Sequence, residues 1–126
     1  MRDMQTPLHK VRGMGASHSG TGHFWHERLS SVALIPLTLW FGYAILGLAN
    51  ASEVAAISFL AHPWNALLMA GFAFVTLYHI KLGLQVVIDD YVHSPGMKIF
   101  LLMLVRFAVI AIGSACGFAL LRIASL

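Results

Sequence analysis

Three long apolar blocks, separated by short polar stretches, dominate the pattern of hydrophobic and polar positions along the chain. The first block covers about residues 29–49, the second about 64–88 and the third about 99–121. Each has roughly 20 residues or more, which is enough to cross a hydrocarbon core about 30 Å thick at about 1.5 Å per residue. Because a segment inside lipid must satisfy its own backbone hydrogen bonds, each block is predicted to be a helix.

Turn-forming residues between the blocks set the boundaries of the predicted transmembrane helices, at about 28–50, 63–91 and 98–122. Pro63 is suited to the first turn of the second helix, and the Ser-Pro-Gly run at 94–96 should stop that helix. Residues 1–22 are rich in Gly, Ser and Thr and lack helical periodicity, so we expect an irregular arm there. The predicted fold class is an all-α integral membrane protein, with residues 1–126 forming a single domain.

Composition supports a membrane protein over a soluble helical bundle. Hydrophobic residues make up 59% of the 126 residues and charged residues only 10%, whereas charged residues are about a quarter of a soluble domain. The apolar residues also form unbroken blocks instead of amphipathic stripes. The net charge of +3 does not indicate nucleic-acid binding, because the cations are not clustered into one basic face.

The cations are distributed unevenly about the blocks, which predicts an orientation in the membrane. The segment that precedes the first block carries four of them: Arg2, Lys10, Arg12 and Arg28. The loop at 50–62 carries no Lys or Arg, and the loop between the second and third blocks carries Lys98. The positive-inside rule therefore places the N-terminus and the second loop on the cytoplasmic side and the C-terminus on the opposite side.

One stripe of the second predicted helix combines a histidine, a glycine and a carboxylate. His79 and Asp90 are eleven residues apart, and at about 100° per residue they lie about 20° apart around the helix and about 16 Å apart along it. Gly83 and Val86 lie on the same stripe. Gly83 removes a side chain next to His79, which would let a flat group such as a haem approach the helix.

His79 has three possible roles that its position leaves open. It could form a hydrogen bond with a neighbouring helix, belong to a proton relay, or ligate a metal or haem. Ionisable groups inside the membrane are costly and usually functional, and imidazole is a common axial haem ligand.

If two histidines ligate a haem at His79, the second must come from another chain. The remaining histidines all lie outside the predicted hydrocarbon core, at positions 9, 18, 23, 26, 62 and 93. This argument predicts an oligomer if haem is present.

Two adjacent acids and a tyrosine mark the end of the second helix. Asp89 and Asp90 repel each other and oppose the helix dipole at a C-terminal end, so we expect a compensating cation, for which Arg28 is the candidate. Tyr91 places a hydroxyl donor beside these acids, which suits a ligand with carbonyl oxygens, such as a membrane-soluble quinone.

Two features of the third helix remain open in the sequence. Arg106 lies about two turns inside the helix, where it could snorkel to the cytoplasmic surface or point toward an acid. Gly113 and Gly117 have the GxxxG spacing of a close helix–helix contact, although glycine is also common in membrane helices.

The run "HIKLGLQVVIDDYVH" resembles the cytochrome b hydrophobic membrane anchor of succinate dehydrogenase. The upstream run "SGTGHFWHERLSSVALIPLTLW" is also similar to that family, and the resemblance spans roughly residues 13–121. It implies three transmembrane helices in a heteromeric bundle with a second anchor subunit. One haem b would lie between the two anchors, and a ubiquinone pocket would form with the iron–sulfur subunit.

The resemblance also implies roles for particular residues. His79 would be the axial haem ligand of this chain, with Gly83 packing against the haem. Tyr91 would bond a quinone carbonyl, with Asp90 behind it in the pocket. Arg28 would lie near that pocket or near the haem propionates.

The implied function is that of the anchor of succinate:ubiquinone oxidoreductase, respiratory complex II, in a bacterial cytoplasmic membrane. The anchor would pass electrons from succinate oxidation to the quinone pool, with the second anchor, the iron–sulfur subunit, the flavoprotein subunit and lipid as partners. The chain would not be catalytic alone, because it lacks a nucleotide-binding fingerprint and the cysteines of an iron–sulfur cluster. The alternatives are the anchor of a fumarate reductase and a proton-relay or transport subunit.

Overall fold

The computed structural model describes residues 6–13 and 18–126 of the chain. Its helices are α1 (Pro7–Gly13), α2 (His18–Leu48), α3 (Glu53–Ala61), α4 (Pro63–Tyr91) and α5 (Pro95–Ala124). The described residues contain no strand. Three segments are long and apolar enough to cross a membrane, namely Gly20–Leu48, Pro63–Tyr91 and Pro95–Ala124. The predicted all-α fold with three transmembrane helices is therefore confirmed.

The N-terminal arm is the main difference from the sequence prediction. We expected residues 1–22 to be irregular, but α1 occupies Pro7–Gly13 and α2 already begins at His18. Residues 1–5 and 14–17 lie outside the described part of the chain. The low helix propensity of Gly, Ser and Thr is a weak effect. At the start of α2 it is overridden, because this segment continues into a long apolar helix that contacts α4 through His26 and Tyr78.

The loop after the first transmembrane helix contains a helix that the sequence pattern did not predict. Ser52 caps α3, and its side-chain oxygen accepts a hydrogen bond from the backbone N–H of Ala55 at 3.3 Å. Glu53 lies in the first turn, where a negative charge is favourable. The Asn65 side chain donates to the Phe59 carbonyl at 2.9 Å, which ties α3 to the start of α4.

Prolines mark the starts of α4 and α5. The helix spans Pro63–Tyr91 as predicted, with Pro63 in its first turn. Its last turn closes where the Val92 N–H donates to the Ile88 carbonyl at 3.0 Å. Pro95 then opens α5 three residues before the predicted start at 98, because proline is well suited to the first position of a helix.

The middle member of the bundle is α4, which packs against α2 on one side and α5 on the other. Phe41 of α2 stacks on Phe72 of α4 with ring centroids 4.4 Å apart. On the other side, a Cβ added at Gly113 of α5 would lie 3.5 Å from the Leu77 side chain, and one at Gly117 would meet nothing within 4 Å. A side chain at Gly113 would therefore touch α4 at an ordinary van der Waals distance, whereas one at Gly117 would have open space.

Few side chains are buried within this single chain. Of the residues whose burial is described, the buried apolar ones are Ala44, Leu82 and Ile88, and the buried polar one is Ser30. Large apolar side chains cover most of the outer surface of the three long helices. Such a surface is suited to lipid or to the helices of other membrane subunits, because lipid tails accept apolar side chains.

Candidate functional site

The central residue of the candidate site is His79, which is held against α2 by a hydrogen bond. The Nδ1 atom of His79 lies 2.8 Å from the Oγ of Ser30. The Ser30 hydroxyl in turn lies 2.9 Å from the backbone carbonyl of Glu27, one turn earlier in α2. The structure therefore shows the interhelical hydrogen bond that was one of the three roles left open for His79.

The second ring nitrogen of His79 remains available. Among the described residues nothing forms a hydrogen bond with Nε2 of His79, and this atom is not among the buried polar atoms that lack a partner. An imidazole with one nitrogen bonded to the protein and the other accessible is suited to ligating a metal through the second nitrogen. The hydrogen bond to Ser30 and a role as haem ligand are thus compatible.

The helix surface beside His79 is uncovered toward the end of α4. A Cβ added at Gly83 would meet no atom within 4 Å, and Val86 is 36% exposed. Asp90 is exposed at the end of the same stripe. The opposite direction along the stripe is covered, because Phe72 stacks on Phe41 of α2. A flat group bound at His79 could lie against the uncovered side without displacing a side chain of this chain.

The two adjacent acids at the end of α4 differ in their contacts. A carboxylate oxygen of Asp89 lies 3.0 Å from the Nζ of Lys98 in α5. Asp90 forms no ion pair with any described residue. We expected Arg28 to compensate these acids. This expectation is wrong for Asp89, because the loop at 92–94 reverses the direction of the chain and places Lys98 beside the Asp89 carboxylate. Asp90 is therefore the acid that remains open to a ligand.

Tyr91 ends α4 with its side chain directed outward. It is 78% exposed, and its hydroxyl has no hydrogen-bond partner among the described residues. The hydroxyl can therefore donate to a group outside this chain. The two predicted quinone-site residues, Asp90 and Tyr91, thus lie together at one end of α4, about 16 Å along the helix from His79.

The structure does not bring Arg28 together with His79. Arg28 precedes Ser30 by two residues in α2, so the two lie about 160° apart around the helix. Its guanidinium instead lies 5.2 Å from the centre of the Phe24 ring, and the side chain is exposed. The proposed contact with a quinone or a propionate therefore stays a prediction that depends on groups outside this chain.

Polar residues of α2 to which the sequence assigned no role face α4. His26 Nδ1 lies 3.0 Å from the Tyr78 hydroxyl, and His23 Nε2 is buried without a hydrogen-bond partner among the described residues. His23, His26 and Ser30 are spaced by three and four residues, which places them on one face of a helix. This spacing is the sequence signal that could have identified the face of α2 that contacts α4.

A separate apolar groove of about 740 Å³ lies between α4 and α5. Its α4 side is turned away from His79, since Leu77 and Lys81 lie about 160–200° around the helix from that residue. Lys81 and the exposed Arg106 both line the groove, and no acid does. Arg106 therefore does not point to a carboxylate among the described residues, and snorkelling to the surface or contact with the acid group of a ligand stay the open interpretations.

The chain matches the model of the succinate dehydrogenase/fumarate reductase transmembrane subunit family over residues 2–113. This chain belongs to that family. It is 31% identical to a succinate dehydrogenase hydrophobic membrane anchor subunit of Paracoccus denitrificans over 110 residues, which cover 87% of this chain and 85% of the relative.

Two further family members show the same extent of similarity. A succinate dehydrogenase hydrophobic membrane anchor subunit of Rickettsia bellii is 29% identical over 87% of this chain and 89% of its own length. A succinate dehydrogenase membrane anchor subunit of Reclinomonas americana is 28% identical over 83% of this chain and 87% of its own length. No solved structure matches the chain. Family membership thus extends over nearly the whole chain and includes His79, Asp90 and Tyr91.

Proposed function

We propose that this chain is the hydrophobic membrane anchor of a succinate:ubiquinone oxidoreductase and that it helps to bind haem b and ubiquinone. The observation that carries the proposal is the state of His79, with Nδ1 bonded to α2 and Nε2 accessible beside an uncovered helix surface. Membership of the transmembrane subunit family and the similarity to named succinate dehydrogenase anchors support the same assignment.

In this function His79 would hold the haem iron through Nε2. A haem bound there would provide a one-electron carrier within the membrane. Gly83 leaves room for its flat face, since nothing in this chain occupies the space beside that glycine. The other ligand of the haem iron would come from a second anchor subunit.

At the end of α4, Tyr91 and Asp90 form this chain's part of the quinone pocket. The exposed Tyr91 hydroxyl would donate a hydrogen bond to a quinone carbonyl, and the Asp90 carboxylate, which forms no ion pair with a described residue, would provide an acceptor behind it. Reduction of a quinone requires protons as well as electrons, so a pocket at the membrane surface has access to both. The iron–sulfur subunit covers this end of the anchor and delivers the electrons.

The proposed location is the bacterial cytoplasmic membrane, with the N-terminus and the loop between α4 and α5 on the cytoplasmic side. Lys98 and the N-terminal cations support this orientation. The flavoprotein subunit, in which succinate is oxidised, attaches through the iron–sulfur subunit on that side. Fumarate reductase anchors belong to the same family, and the physiological direction of the reaction separates the two possibilities.

The test is the haem spectrum of the complete complex after His79→Ala substitution. We expect the b-type reduced-minus-oxidised spectrum to be lost or strongly altered, because one axial ligand is removed. His93→Ala is the matched control, since His93 is exposed in the loop after α4, and it should leave the spectrum unchanged. A normal spectrum in the His79→Ala complex would show that this histidine does not ligate haem.

A further inference from the structure

The hydrogen bond between Ser30 and His79 determines which ring nitrogen of His79 carries the proton. The Ser30 hydroxyl has a single hydrogen. We assign this hydrogen to the Glu27 carbonyl, 2.9 Å away, to which the Ser31 hydroxyl also donates. With that assignment the Ser30 oxygen, 2.8 Å from Nδ1 of His79, accepts a hydrogen bond from the Nδ1–H. The neutral ring therefore has its lone pair on Nε2.

The surroundings of this hydrogen bond make it effective. Ser30 is only 6% exposed and is the buried polar side chain among the residues whose burial is described. A hydrogen bond in a low-dielectric environment is stronger than one that competes with water. Because Ser30 belongs to α2 and His79 to α4, the bond also fixes the orientation of the imidazole ring relative to two helices.

We propose that Ser30 is a positioning residue that presents His79 to the haem iron. The argument rests on the haem ligation proposed above. Ser30 keeps the proton on Nδ1, directs the Nε2 lone pair away from α2, and makes the imidazole a stronger electron donor by accepting from its N–H. A stronger donor stabilises ferric over ferrous iron, so Ser30 lowers the reduction potential of the haem.

The test compares Ser30→Ala with Ser31→Ala in the complete complex. Ser31 is a matched control, because its hydroxyl donates to the same Glu27 carbonyl at 2.8 Å, whereas the hydrogen bond to His79 comes from Ser30. We expect Ser30→Ala to shift the haem midpoint potential to a more positive value and to weaken haem retention by about 10-fold or more. Ser31→Ala should leave both quantities at their original values.

Two further measurements distinguish positioning from general packing. Ser30→Thr keeps the hydroxyl, so the haem midpoint potential should stay at its original value. If Ser30 acted only through packing, the added methyl group would change that potential. The low-spin EPR spectrum reports the relative orientation of the two axial rings, so it should change in Ser30→Ala and return in Ser30→Thr. If the Ser30→Ala complex does not assemble, Ser30→Cys replaces it, because sulfur is a weak acceptor of similar size, and the potential should again rise.

The outcomes separate this proposal from the assignment of His79. An unchanged potential and EPR spectrum in Ser30→Ala, or in Ser30→Cys where that variant is used, would overturn the positioning role even if His79→Ala abolishes the haem spectrum. A normal spectrum in His79→Ala would instead overturn haem ligation itself. A Ser31→Ala shift equal to that of Ser30→Ala would show that the Glu27 turn, and not the contact with His79, controls the haem.

Discussion

Asp89 and Asp90 are neighbours in sequence, yet their surroundings assign them different roles. Asp89 forms the ion pair with Lys98 and helps to hold the start of α5 against the end of α4. Asp90 lies about 100° further around the helix, on the stripe of His79 and Gly83, and has no such pair among the described residues. The sequence alone does not distinguish the two acids, because Lys98 lies beside Asp89 only when the chain reverses its direction at 92–94.

Substitution of each acid by asparagine tests this division of roles. Asp90→Asn should lower the rate of quinone reduction by about 10-fold or more, since a hydrogen bond to a charged group contributes about 1.5–3 kcal/mol. Succinate oxidation with an artificial dye acceptor should persist, because the proposed function assigns the flavin reaction to another subunit. The two assays are run on the same purified complex.

The control for this experiment is Asp89→Asn. The Asp89 and Lys98 side chains are 46% and 34% exposed, and such a pair contributes about 1 kcal/mol or less to stability. Quinone reduction should therefore stay near its original rate. Parallel loss of quinone reduction and dye-linked oxidation in Asp90→Asn would contradict a role confined to the quinone pocket.

Among the helices, α4 agrees with the predicted bounds of about 63–91, whereas α2 starts earlier than predicted and α3 was not predicted. Pro63 and Pro95 stand in the first turns of α4 and α5, and proline is favoured at the first position of a helix. The start of α2 is stabilised by its contact with α4, which local composition does not reveal. The hydrogen bond between Ser30 and His79 joins residues 49 positions apart, and only the packing of α2 on α4 brings them together.

The open side of α4 gives a prediction for Gly83. Gly83→Leu should be accepted by this chain, because an added Cβ meets nothing within 4 Å and leucine favours a helix over glycine by about 1 kcal/mol. The larger side chain should nevertheless occupy the space beside His79 and cause the loss of most of the haem. The measurement is the ratio of haem to flavin in the purified complex.

Gly42→Leu in α2 is the matched control for that substitution. A Cβ at Gly42 also meets nothing within 4 Å, and its position is remote in sequence from the His79 stripe. A normal haem content is expected in Gly42→Leu. Full haem content in Gly83→Leu would show that the space beside this glycine is not where the haem lies.

At the scale of the whole molecule, the functional groups gather at one end of the bundle. The contacts of His26 with Tyr78 and of Ser30 with His79 place the first part of α2 beside the second part of α4. The pair of Asp89 and Lys98 places the start of α5 at the same end. The three long helices therefore run alternately up, down and up, and the other end holds α3 and the C-terminus.

This arrangement predicts an orientation of the helices in the membrane, which reporter fusions at two positions can measure. The end with the start of α2 and Lys98 carries most of the cations, whereas Arg122 lies at the other end, so the end with Lys98 should face the cytoplasm. A reporter that is active only outside the cytoplasm should be active after Leu126 and inactive when fused after Ser94, in the loop between α4 and α5. A reporter that fluoresces only inside the cytoplasm should be dark after Leu126 and fluorescent after Ser94. If the reporter that is active only outside the cytoplasm were active after Ser94, Asp90 and Tyr91 would lie on the membrane face opposite to the proposed iron–sulfur subunit. The quinone pocket could not then form as proposed.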